Sequence, residues 1–71
     1  MTYVSVQYFQ PALNAYAGRA YTYATELPLV VGDKVLVPTQ KAEANKAIIV
    51  AVGLEKPKFD CKFITQFDVE G

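Results

Sequence analysis

The stretch Val30-Val31-Gly32-Asp33-Lys34-Val35-Leu36-Val37-Pro38 (VVGDKVLVP) decides the fold class. Gly32 can take the positive φ that a tight turn demands, and Asp33 can hydrogen-bond nearby backbone, so Gly-Asp marks a turn. After it Val35 and Val37 point one way and Leu36 the other, which is the period of a half-buried strand. Pro38 stops the ladder, because it has no N–H to donate. A punctuated strand of this kind belongs to an all-β domain with short strands and tight corners.

Other segments read the same way. Thr2 to Tyr8 alternates Val4, Val6 and Tyr8 against Tyr3, Ser5 and Gln7, rich in β-branched and aromatic residues. In RAYTYAT, Tyr21 and Tyr23 share one face and Ala20, Thr22 and Ala24 the other. KAIIVAVG is apolar on both faces, as expected of a central strand packed on two sides, and Gly53 closes it. CKFITQFDV sets Phe63, Thr65 and Phe67 against Ile64, Gln66 and Asp68. Between these strands, FQPALNAYAGR is bracketed by Pro11 and Gly18 and reads as a long loop with room for one helical turn. TQKAEANK has no apolar stripe and reads as a solvated loop, and LEKPKFD as a polar connector around Pro57.

Five short strands without a convincing helix predict a small five-stranded SH3-like or OB-like barrel, closed or nearly closed and antiparallel, since closure removes exposed edges. The chain has 71 residues. That bounds it to one domain, residues 1–71, because a chain this short buries only about 60% of the surface it exposes when unfolded. Five tyrosines and four phenylalanines supply the bulk to fill such a barrel. No run approaches the roughly 18 apolar residues of a membrane helix, and MTYVSVQYF lacks the basic start and apolar run of a secretion signal. The expected setting is cytoplasmic, with no membrane partner; the lone Cys61 excludes an internal disulfide.

Seven basic and seven acidic side chains cancel, so any attraction for a polyanion has to be local. With no histidine and one cysteine, neither an acid–base constellation nor zinc or calcium spacing is present. The four glycines are isolated, so no phosphate loop forms. These readings predict a protein that is not an enzyme and needs no cofactor or metal. Two groups could instead bind. Tyr21 and Tyr23, with Tyr3, Tyr16 and Phe9 elsewhere, could stack bases, as barrels often do, or could simply be core. Lys58 and Lys62, joined by Lys56, cluster late in the chain while Lys41 and Lys46 flank a loop. They could track phosphates or, interleaved with Glu43, Glu55 and Asp60, form an ordinary solvated surface.

The run from Tyr21 to Gly53 resembles the N-terminal DNA-binding subdomain of the primosomal replication helicase, primosomal protein N′, and the small phage-type proteins sharing that barrel. The matching pattern is an aromatic-x-Tyr strand (Tyr21, Tyr23), a Leu/Val segment (Leu27, Leu29), Gly-x-x-Val-x-Val-Pro (Gly32, Val35, Val37, Pro38) and an Ile-Val strand (Ile48, Ile49, Val50). CKFITQFDVE also looks like the family's closing strand. The resemblance implies recognition of the 3′ end of a DNA strand at a stalled fork, through an aspartate at the middle of the aromatic-x-Tyr strand. Here that position is Thr22; Thr39 and Gln40 stand where the family has Phe-Gly, and Ala47 where it has Gly. Matches fall on structural positions and departures on functional or turn positions, so the barrel is implied more directly than 3′-end binding. The expected function is a small phage or mobile-element binding module acting on single-stranded or forked DNA, or on a replication or recombination protein. The alternative is a protein-interaction module or inhibitor of a host or phage enzyme with no nucleic-acid contact. The candidate binding residues are Tyr21, Thr22, Tyr23, Lys41, Lys46, Lys58 and Lys62, framed by the structural turn residues Gly32, Asp33 and Pro38. The oligomeric state is left open.

Overall fold

The computed structural model describes residues 1–39 and 44–68, and among these every regular element is a strand. The strands are β1 (Thr2–Gln10), β2 (Ala15–Tyr16), β3 (Tyr21–Thr25), β4 (Lys34–Val37), β5 (Asn45–Leu54), β6 (Phe63–Ile64) and β7 (Gln66–Phe67). They form one sheet in the order β6-β3-β1-β5-β4-β7, with β2 paired to β1. β6 and β7 are one chain segment broken at Thr65, yet they pair with opposite ends of the sheet, β6 with β3 and β7 with β4. Consecutive residues therefore join the two edges, and the sheet is nearly closed into a barrel.

Alternation places the core. Val4 and Val6 from β1, Tyr23 from β3, Val35 and Val37 from β4, Ala47 and Ile49 from β5 and Ile64 from β6 all point inward, joined by Leu29. Thr25 is the one buried polar residue among those described, and it is fully satisfied. Its hydroxyl donates to the Ile64 carbonyl (2.9 Å) and accepts the Leu27 N–H (3.0 Å), pinning β3 to β6. A buried hydroxyl without partners would cost about 1–3 kcal/mol, so this double bond lets a polar side chain sit in the wall.

The turn that opened the sequence reading is built as a reciprocal pair. The Asp33 N–H donates to the Val30 carbonyl (3.1 Å) while the Asp33 carboxylate accepts the Val30 N–H (2.9 Å). Gly32 between them has φ +98°, and its N–H reaches the Ile49 carbonyl (2.8 Å), which ties the turn to β5.

Four sequence expectations are corrected. The stretch from Phe9 to Arg19 is not a long loop with a helical turn: β1 runs on to Gln10, Pro11–Asn14 turn with Asn14 at φ +50°, and β2 returns against Phe9 and Gln10. Here Asn14 accepts the left-handed conformation that Asn tolerates. KAIIVAVG is not packed on two sides, since Val50 and Val52 are 37% and 38% exposed. Its register against β1 slips twice, between Tyr3 and Ser5 and between Ser5 and Val6, and each slip places an extra residue on β5. Bulges of this kind bend a strand and re-aim its side chains, and Gly53 at φ +67° sits in the first, between the partners of Tyr3 and Ser5. The closing strand is two short pieces with only Ile64 buried, so seven strands replace the expected five. Finally, the pairing is not wholly antiparallel, since β3 and β6 run parallel.

Candidate binding site at the barrel mouth

Register brings the site together. Tyr8 lies opposite Ala47, Val6 opposite Tyr21, and Val37 opposite Asn45. The late part of β1, the start of β3, the end of β4 and the start of β5 thus meet at one end of the barrel. At that end the closing segment is too short to finish the wall. β6 covers only Ala24 and Thr25 of β3, and β7 only Val35 and Leu36 of β4. The opening is a cleft of about 570 Å³ lined by Tyr8, Tyr21, Tyr23, Pro38, Thr39, Asn45 and Lys62.

Its floor is a hydrogen-bond chain. The Tyr23 hydroxyl donates to the Pro38 carbonyl (2.9 Å) and lies 2.7 Å from the Tyr8 hydroxyl. A carbonyl cannot donate and a phenol has one proton, so the shared proton between the tyrosines comes from Tyr8. Tyr23 is 4% exposed. Its titration is pushed well above the ordinary tyrosine range, chiefly by burial and also by the charges that Tyr8 and Tyr21 would carry. The side of the cleft is a parallel stack: the Tyr8 and Tyr21 rings lie 4.8 Å apart at 14°. Tyr21, two residues nearer the rim than Tyr23, is 43% exposed. The two tyrosines that share a strand face therefore divide the two sequence readings between them, Tyr23 as core and Tyr21 as available surface.

Thr22 points to the other face of β3 and lines a smaller neighbouring cleft of about 220 Å³ with Tyr21, Asp60, Cys61 and Lys62. The Ala24 N–H bonds the Lys62 carbonyl. Strand period then directs the Thr22 N–H and C=O toward that same edge. Of the lysines, Lys62 stands at the rim of both clefts. Lys46 borders a separate hollow with Phe9 and Pro11, next to Asn45, which lines both. Lys58 is exposed in the connector and borders none of these clefts, and Lys41 lies outside the described residues. The structure thus gathers Tyr21, Tyr23, Lys62 and Pro38 and leaves Lys46 and Lys58 apart. Gly32 and Asp33 lie in the turn against Ile49, away from the mouth.

Tyr8, Asn45 and Thr39 were not among the candidates. Tyr8 had a signal, its parity with Val4 and Val6; Asn45 had none, because it enters through pairing with Val37 across β4 and β5. Among the described residues no group of three or more His, Cys, Asp or Glu could hold a metal ion, and no helix is long and apolar enough to cross a membrane. The Cys61 thiol has one weak contact, 3.9 Å from the Phe59 carbonyl. No protein-family model, characterised protein or solved structure matches this chain, so what it does has to be read from the site itself.

Proposed function

We propose that this chain is a small non-enzymatic binding module that takes a single DNA strand at the tyrosine-lined mouth of its barrel. The observation that carries the reading is the Tyr8–Tyr21 stack, which holds the Tyr21 ring rigid and half exposed beside an open cleft. A fixed aromatic face next to a cavity suits a base, because every base has a π-face to lay on it. Lys62 at the rim offers the charge for an adjoining phosphate, a local attraction that zero net charge does not forbid. The resemblance to the primosomal subdomain points the same way. Thr22 supplies no carboxylate, so the reading includes no strong preference for a free 3′ end.

The test is fluorescence anisotropy with labelled single strands at low salt. Tyr21→Ala should weaken binding by about 1–3 kcal/mol. Lys62→Ala should lower the slope of log K against log salt by about 0.7, the share of one phosphate contact on a single strand. Matched 3′-hydroxyl and 3′-phosphate strands should bind alike. No detectable binding at low salt sinks the DNA reading.

A second reading has its own observation. Val30 and Val31 in the turn are 59% and 61% exposed, and the Gly32–Ile49 bond sets them beside the exposed Val50. Clustered exposed apolar side chains suit a protein partner, the reading to which loss of DNA binding would turn.

A further inference from the structure

Resting on the reading that the mouth takes a DNA base, we infer that it prefers bases carrying an exocyclic amino group over bases that present a carbonyl at the same position. The preference follows from proton bookkeeping in the cleft. The Tyr23 proton is committed to the Pro38 carbonyl, so the Tyr8 proton is committed to Tyr23. What the Tyr8 hydroxyl has left is lone pairs, which accept and cannot donate. Asn45 adds a second acceptor: its amide nitrogen spends one of its two hydrogens on the Thr39 hydroxyl at 2.9 Å, and its carbonyl oxygen has no hydrogen to give. Two acceptors therefore border the cleft beside the Tyr21 ring.

An amino group carries two hydrogens and can serve both acceptors. A carbonyl placed against the Tyr8 hydroxyl meets lone pairs with lone pairs and loses its bond to water without replacement, the asymmetry by which sites built for one hydrogen-bond pattern reject another. Lys62, the one cation of the rim among the described residues, sits on the connector side and serves the phosphate. Cytosine and uracil are the closest pair, both pyrimidines, differing at the amino or carbonyl group and at the neighbouring ring nitrogen, which accepts in cytosine and donates in uracil.

The experiment compares fluorescein-labelled deoxycytidine and deoxyuridine decamers by anisotropy at neutral pH and low salt. The deoxycytidine strand should bind about tenfold tighter, within the discrimination that paired hydrogen bonds to a base edge provide. Tyr8→Phe removes one acceptor while the Tyr23 bond to Pro38 and the ring stack remain possible, and it should shrink the ratio to about threefold or less. Its far-UV spectrum and urea midpoint report whether it folds. Asn45→Ala, which touches neither tyrosine bond, gives the same readout should Tyr8→Phe fail to fold. Equal binding of the two strands, or tighter binding of deoxyuridine, overturns the inference and leaves the DNA reading standing. Failure of both strands to bind overturns the two together. A tenfold ratio that persists in both variants also overturns it, because the acceptors named would then not be its source.

Discussion

Replacing Tyr23 by Phe keeps the ring that fills the barrel and removes only its hydroxyl, which makes it the sharpest probe of how the mouth is held. The hydroxyl makes two bonds, one to the Pro38 carbonyl at 2.9 Å and one from Tyr8 at 2.7 Å. Its bond to Pro38 spans the gap between β3 and the end of β4. At a net 0.5–1.5 kcal/mol per bond, the loss comes to about 1–3 kcal/mol. A domain of this size has only about 4–11 kcal/mol in total. With an m value near 1 kcal/mol/M, the urea midpoint should fall by about 1–3 M. Tyr8→Phe breaks one bond and leaves Tyr23 on Pro38, so it should fall by about half as much. The pH arm is independent. Tyr23 ionises at a higher pH folded than unfolded, because burial disfavours the phenolate. Its contribution is full below the unfolded value near 10 and is lost as pH rises from there, since the unfolded chain sheds its proton first. Stability should drop by about 1.4 kcal/mol per pH unit above pH 10 on account of this residue, and Tyr23→Phe should remove that part of the slope. Urea melts followed by circular dichroism at pH 7 and at steps above pH 10 measure both arms. A variant melting with the wild type at pH 7, or an unchanged alkaline slope, would refute the reasoning.

Gly32→Ala meets no neighbour, since nothing lies within 4 Å of the added Cβ, so its cost is the backbone alone at φ +98°. A loss of about 1–2 kcal/mol in a urea melt is expected; unchanged stability would mean the turn relaxes to another form. Thr25→Val keeps the shape but strands the Leu27 N–H and Ile64 carbonyl, so a loss of about 1–3 kcal/mol is expected by the same melt. Ile49→Ala opens a hole at one of the largest fully buried side chains and should cost about 2–5 kcal/mol, enough to leave much of the chain unfolded at moderate urea.

What could be read without coordinates was set by period. Val4/Val6 and Val35/Val37 alternate cleanly, and those pairs are the inner wall. The Gly-Asp turn was legible because one residue type solves the φ problem and its neighbour can reach the backbone. β5 was misread because its sequence is apolar on every residue from Ala47 to Val52, which erases the alternation that would show where the register slips. The β1–β2 hairpin was missed because its return strand is two residues long, too short to have a period, and its turn uses Asn14 where a glycine would have signalled it. For the site, the face shared by Tyr21 and Tyr23 was visible, but not which of them is covered. That depends on how far the closing segment reaches, a tertiary fact.

The length of that closing segment also explains why core and site share one set of side chains. A wall completed along its whole height would need β6 and β7 to extend past Ala24 and Leu36 toward Tyr21 and Pro38, and they do not. The gap must then be filled by side chains large enough to cross it and polar enough to meet a bare carbonyl, which is what Tyr23 does through Pro38. Tyr8 satisfies the remaining side of Tyr23 and, in doing so, becomes the surface against which Tyr21 stacks. Tyr21 is thereby held in one orientation without being buried, so little conformational freedom is left to lose when a ligand lies on it. The feature that weakens the barrel at this end is the same one that preorganises its mouth.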